Sequence, residues 1–194
     1  MLVVDVETSG TESSIHGILS VGAVDFENPK RQFYEECRLF DGAHVMKEAL
    51  EINGFTERDI LDKNKKTDKE LVEAFLEWAL LSDNHTLAGQ NPSFDRDFLR
   101  AAALRYHLDW PLAHRTVDTH SVCFAVMITR GDNPPAEKGR SALDLDVALR
   151  YAGLPDEPMP HNALCGAKLE SELLSRLLYK RVLFEEYSKF KIPN

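Results

Sequence analysis

The chain has 194 residues, of which 43% are hydrophobic, and carries 23 Lys and Arg against 32 Asp and Glu, a formal net charge of −9. This length and apolar share suit a single domain spanning 1–194 with a sizeable core, and the acidic balance argues against wholesale electrostatic binding of nucleic acid or an anionic membrane. It leaves room for a nucleic-acid enzyme, because bound divalent cations dominate local charge. Cys37, Cys123 and Cys165 are odd in number and lack CxxC spacing, so reduced thiols in a cytosol-like compartment are expected. No apolar run approaches the ~18 residues of a bilayer span, and "MLVVDVETSG" carries no readable signal peptide. A cytoplasmic protein without a membrane partner is expected.

"MLVVDVE" reads as a strand, followed by a second over 17–26, a turn at "NPK" and a third over 31–40, a meander opening the sheet. "TDKELVEAFLEWALL" starts with a Thr67–Glu70 capping box and continues as an amphipathic helix. "HTLAGQ" (85–90) predicts a brief strand, and residues 93–108 a helix with Ser93 as N-cap. Residues 114–127 read as a strand entering a helix, and 129–141 as a loop rich in Gly, Pro and charge. "SALDLDVALRYAGL" predicts a helix capped by Ser141 and stopped at Gly153. After the extended connector "PDEPMP", a long final helix starts near Asn162. The order of elements indicates an α/β sheet covered by helices.

Three places carry polar residues that such a fold must explain. Asp5 and Glu7 lie two apart on the first strand, hence on one face and about 7 Å apart. They are either a hydrated strand end or a carboxylate pair able to share divalent cations ~4 Å apart, as in-line phosphoryl displacement requires. Oxygen ligation of that kind suits Mg²⁺ or Mn²⁺. Asp95 stands near a helix start, where the dipole tolerates an anion, while Asp97 reads as a solvated surface acid. Asn91 is either a turn residue or a contact to Asp95 or a phosphate. His161, fixed by the extended chain around Pro158 and Pro160, is either a surface cap or a general base. Gly166, in the first turns of the last helix, costs about 1 kcal/mol relative to alanine, so something requires it or has replaced another residue.

In order and spacing, "DVETSG", "SVGAVDF", "NPSFDRDFL" and "HNALCGAKLE" resemble the DEDDh exonucleases, which include the DnaQ-like proofreading subunit of bacterial DNA polymerase III and ribonuclease T. "ALEINGFTERDI", "VDTHSVC" and "ALDLDVALRYAGL" extend the resemblance over essentially the whole chain. It implies a ribonuclease H-like α/β fold with a mixed five-stranded sheet flanked by helices, and metal-dependent 3′→5′ hydrolysis of single-stranded ends. By this resemblance Asp5 bridges two cations (Mg²⁺ or Mn²⁺), Glu7 holds the first, Asp95 holds the second, and His161 deprotonates the attacking water. The family's final aspartate falls at Gly166, which offers no ligand atom. Three accounts follow: an enzyme impaired by loss of that carboxylate, a natural pseudonuclease that binds ends, or replacement by another acid. Glu170, one helical turn on, is the candidate weighed for the last, although it reads as a surface acid.

The expected partners are single-stranded DNA or RNA 3′ ends, with a polymerase or a second copy of the chain as further possibilities. Candidates for contacting the terminal bases lie in "TSGTESSIHGI", which begins at Thr8 and holds His16 and Ile18 as possible wedges; Ile18 also alternates as a strand core residue. Arg96, Arg100, Arg105 and Arg115 either track phosphates or form a solvated helix face. The lysines of "DKNKKTDK" (62–69) read as a surface turn. The ending "KFKIPN", without a Pro- or Gln-rich tether, leads to the expectation of a stand-alone exonuclease.

Overall fold

The computed structural model describes residues 1–193. The chain enters as β1 (Leu2–Thr8), turns into β2 (Ile18–Asp25) and β3 (Gln32–Arg38), and then crosses the sheet end through α1 (Lys47–Asn53) and α2 (Glu57–Ile60). The two-residue β4 (Lys66–Thr67) leads into α3 (Asp68–Leu80), followed by β5 (Leu87–Gly89), α4 (Pro92–Arg105) and β6 (Thr116–Asp118). The rest comprises α5 (Thr119–Arg130), a small hairpin of β7 (Ala136–Glu137) and β8 (Arg140–Ser141), α6 (Leu145–Tyr151), and α7 (Ala163–Tyr179).

The sheet order is β4-β3-β2-β1-β5-β6. β1 to β3 form the expected antiparallel meander, and β5 and β6 add in parallel beyond β1. The five expected strands are present, and β4 extends the mixed sheet to six by pairing in parallel with the end of β3.

β1 is apolar on both faces because both are covered. Leu2, Val4 and Val6 pack with Phe75 of α3 and Phe98 and Leu99 of α4. Val3, on the opposite face, packs with Leu174 of α7. The two-residue side-chain period then directs Asp5 and Glu7 toward the start of α7. Gly22, opposite Asp5 in β2, lets that helix lie against the sheet: a Cβ there would run into the Ala163 backbone.

The Thr67–Glu70 capping box is present. Three expected boundaries move. α4 starts from Asn91 in a left-handed conformation, with Pro92 at its first turn, so Ser93 lies inside the helix and donates to Asn91 Oδ1. α6 is capped by Asp144, which accepts from the Val147 amide; Ser141 belongs to β8 instead. The predicted loop at 129–141 contains the hairpin, and α5 runs to Arg130, ending at left-handed Gly131. Asn162 caps α7 by accepting from the amides of Leu164 and Cys165.

Candidate active site

β1 outlasts its parallel neighbour: pairing with β5 involves only Leu2 and Val3. Beyond that point the Val6 amide has no strand partner on this side and donates instead to Asp95 Oδ1 at 3.0 Å. The contact brings the first turn of α4 beside the acids of β1. Glu7 and Asp95 are buried, at 6% and 5% exposure, and Asp5 is partly buried between them.

His161 reaches the same place from the connector before α7. The turn around Pro160 is held by the His161 amide, which donates to Ile52 O at 3.0 Å, and Asn162 Nδ2 donates to the Tyr34 hydroxyl at 3.1 Å. The imidazole stays one-third exposed, with Nε2 lying 3.8 Å from Glu157 Oε2. Glu7, Glu157 and His161 each offer an atom such that all three lie within 4.8 Å of one another. Four of the expected residues, Asp5, Glu7, Asp95 and His161, therefore meet at one end of the sheet.

Two further acids complete the cluster. Glu157, in "PDEPMP", was read only as part of a connector; its sequence signal is an acid four residues before His161 in a stretch stiffened by Pro155 and Pro158. Its side chain is 9% exposed, and Oε1 has no hydrogen-bond partner. Glu170, expected at the surface, is buried at 3% exposure, again with an unpartnered oxygen, Oε2. The correction follows from α7 lying flat on β1, β2 and β5, which buries the face that carries Ala163, Gly166, Ala167 and Glu170. Gly89 of β5 makes room for the carboxyl, since a Cβ there would sit 2.8 Å from Glu170 Oε2.

The electrostatics are those of crowded like charges in a poorly solvated site. Burial, then Glu7 and Glu157, raises the Asp5 carboxyl well above its ordinary range. Glu7 is pushed up to about 8 by burial, then by Glu157 and Asp95. Asp95 is raised by burial and Asp5, and Glu170 by burial, Asp5 and Asp95. Asp5, Glu7, Asp95, Glu157 and Glu170 thus form one mutually repelling cluster. Uncompensated carboxylates at such density are costly, and the buried oxygens Glu157 Oε1 and Glu170 Oε2, which accept no hydrogen bond, are free to bind a cation. The carboxylate oxygens of this cluster fit Mg²⁺ or Mn²⁺.

The position expected to lack a ligand is not open. A Cβ on Gly166 would run into Asp5 Oδ2 and lie 3.1 Å from Glu157 Oε1.

The expected substrate contacts fare differently. Thr8 is buried, and its hydroxyl donates to Gly10 O at 2.6 Å. His16 is no exposed wedge: it is 6% exposed, with Nδ1 accepting from the Glu12 amide and its ring packed over Gly10. Ile18 is core. Asn91 is exposed at the mouth of α4, its amide donating to Asp118 Oδ1. Arg105 is committed elsewhere, bonded to Asp68 at 2.7 Å and stacked on Phe40, and Arg96 is paired with Asp97. Arg100 and Arg115 are exposed. Lys65 and Lys66 pair with Glu36 and Glu35. Beside His161 a polar cavity of about 310 Å³ runs past Ser20, Tyr34 and Asn53 toward Lys65.

The result is an α/β domain, a mixed sheet flanked by helices with acids gathered at the end of its central strand, similar in fold to solved exonucleases. Solved structures show the same likeness. E. coli exonuclease I in complex with a dA16 oligonucleotide superposes with a TM-score of 0.72 at 18% identity, covering 93% of this chain and 40% of that one. The nuclease domain of 3′hExo, a DEDDh family member bound to rAMP, gives 0.70 at 14% identity over 100% of this chain and 95% of that one. Cell-death related nuclease 4 (CRN-4) gives 0.72 at 13% identity, covering 93% of this chain and 64% of that one. The chain therefore spans about two fifths of exonuclease I. No family model matches the sequence. Among the described residues, no helix is long and apolar enough to cross a membrane.

Proposed function

We propose that this chain is a metal-dependent 3′→5′ exonuclease acting on single-stranded nucleic-acid ends. The observation that carries the reading is the meeting of Asp5, Glu7 and Asp95 with a part-exposed His161 at one end of the sheet. Supporting it are the shared fold and the single-stranded oligonucleotide held by E. coli exonuclease I.

Asp5 with Glu7 would hold one cation, and Asp5 with Asp95 a second. When bound, the cations supply positive charge beside the attacking and leaving oxygens of an in-line displacement. The protein's part is to hold the carboxylates without rearrangement, and the Val6 amide does so for Asp95. His161 is exposed enough to meet a solvent water and accepts its proton as that water attacks phosphorus. Glu157, 3.8 Å from Nε2, stabilises the resulting imidazolium. The cavity between His161 and Lys65 is polar and close enough to receive a terminal nucleotide.

The test uses 5′-labelled single-stranded DNA and a matching RNA, each incubated with Mn²⁺ or Mg²⁺. Stepwise shortening from the 3′ end, absent in Asp5→Asn, is expected, and the preferred strand names the substrate. Binding of both strands without cleavage would instead identify an end-binding pseudonuclease.

A further inference from the structure

We propose that Glu157, from the connector preceding α7, is the fourth metal-binding carboxylate of this site. The inference rests on the exonuclease reading and names a ligand that the family pattern does not supply. Three observations converge. Glu157 Oε1 lies 3.1 Å from the point where a Cβ of residue 166 would stand, so its carboxylate borders the space of the absent aspartate. Its side chain is 9% exposed and that oxygen has no hydrogen-bond partner, although burial of a polar atom demands one. One of its carboxylate oxygens lies within 4.8 Å of a Glu7 carboxylate oxygen.

The backbone is arranged to deliver it. The Glu157 amide donates to Asp146 Oδ1 at 3.0 Å, anchoring the connector on α6, and Pro155 and Pro158 restrict the chain on either side. Glu170 is the weaker substitute: its carboxyl lies against Gly89, it is 3% exposed, and it is not part of the group formed by Glu7, Glu157 and His161. In this chain the carboxylate bordering position 166 comes from the connector and not from the helix.

The test is calorimetric titration of Mn²⁺ into the full chain, its Asp5→Asn control, Glu157→Gln, Glu170→Gln and the exposed-charge control Asp97→Asn. Folding of each variant is checked by thermal unfolding in EDTA. Glu157→Gln is expected to weaken Mn²⁺ binding at least about tenfold while remaining folded, and Asp97→Asn to bind as the unsubstituted chain does. Unchanged binding by Glu157→Gln, or an equal loss in Asp97→Asn, overturns the assignment while leaving the exonuclease reading intact. A larger loss in Glu170→Gln than in Glu157→Gln transfers the role to Glu170. Failure of the unsubstituted chain to bind Mn²⁺ overturns both.

Discussion

The Asp5 carboxylate occupies the space that a side chain on Gly166 would need. A Cβ at 166 would meet Oδ2 directly and come within 3.0 Å of Asp5 Cγ. Any side chain there therefore moves the Asp5 carboxylate. Gly166→Ala is expected to lower exonuclease turnover by about 10²-fold, the usual cost of displacing a reacting group by an ångström. Gly166→Asp restores no activity, because Glu157 already borders that space. Single-turnover assays on end-labelled DNA check both, and a rise in rate with Gly166→Asp would overturn this account.

His161 projects from a stretch that α1 and β3 already hold through Ile52 and Tyr34. Its imidazole is therefore removable without loss of fold. His161→Gln is expected to reduce the rate about 10²- to 10⁴-fold, the range for a general base, with an unaltered unfolding temperature. A variant within threefold of the unsubstituted rate would remove His161 from the mechanism.

The acid cluster makes the metal-free protein sensitive to pH. Glu7 has an ordinary value of 4.5 and is pushed up to about 8 by burial, Glu157 and Asp95. Because the folded state binds the proton more tightly than the unfolded chain, the associated stability is fully present below about 4.5 and is lost as pH rises to about 8. In EDTA the unfolding temperature should therefore fall across that window, and Glu7→Gln should flatten the fall. Saturating Mn²⁺ stabilises the folded state by mass action and should offset the loss at the alkaline end. Calorimetric scans at stepped pH, with and without Mn²⁺, give both curves.

A separate test concerns the scaffold. Arg176 and Glu172, one turn apart on α7, form a 2.7 Å ion pair at 1% and 0% exposure. Arg176 also donates to the carbonyls of Ala152, Gly153 and Tyr187, while Glu172 accepts from the amides of Leu183 and Phe184. The pair thus ties the end of α6 and the segment after α7 to the helix that borders the site. Arg176→Met leaves a buried carboxylate without its cation, which costs about 3–5 kcal/mol. The unfolding temperature should fall on the order of 10 °C, with Mn²⁺ affinity retained in the folded fraction.

Much of the fold was legible locally. The β-branched run of β1, the meander spacing and the Thr67–Glu70 capping box each correspond to interactions within a few residues, so the pattern carries them. Boundaries failed where a competing local group won: Asp144 over Ser141, and Asn91 with Pro92 over Ser93. Of the site, Asp5, Glu7, Asp95 and His161 stood out because they fall in recognisable motifs. Glu157 did not, since its neighbours in sequence are connector residues and, His161 apart, its relevant neighbours are 150 and nine positions away, at Glu7 and Gly166.

What the sequence determined by itself is the strand and helix order and the acids spaced two apart on β1, because both follow from local periodicity. Only the tertiary structure decided the rest. The approach of α7 to the sheet at Gly22 turns Glu170 inward, the shortness of β5 frees the Val6 amide for Asp95, and the connector turns Glu157 toward the space beside Gly166. These depend on how closely backbones far apart in sequence can pack, which no local pattern of residue types records.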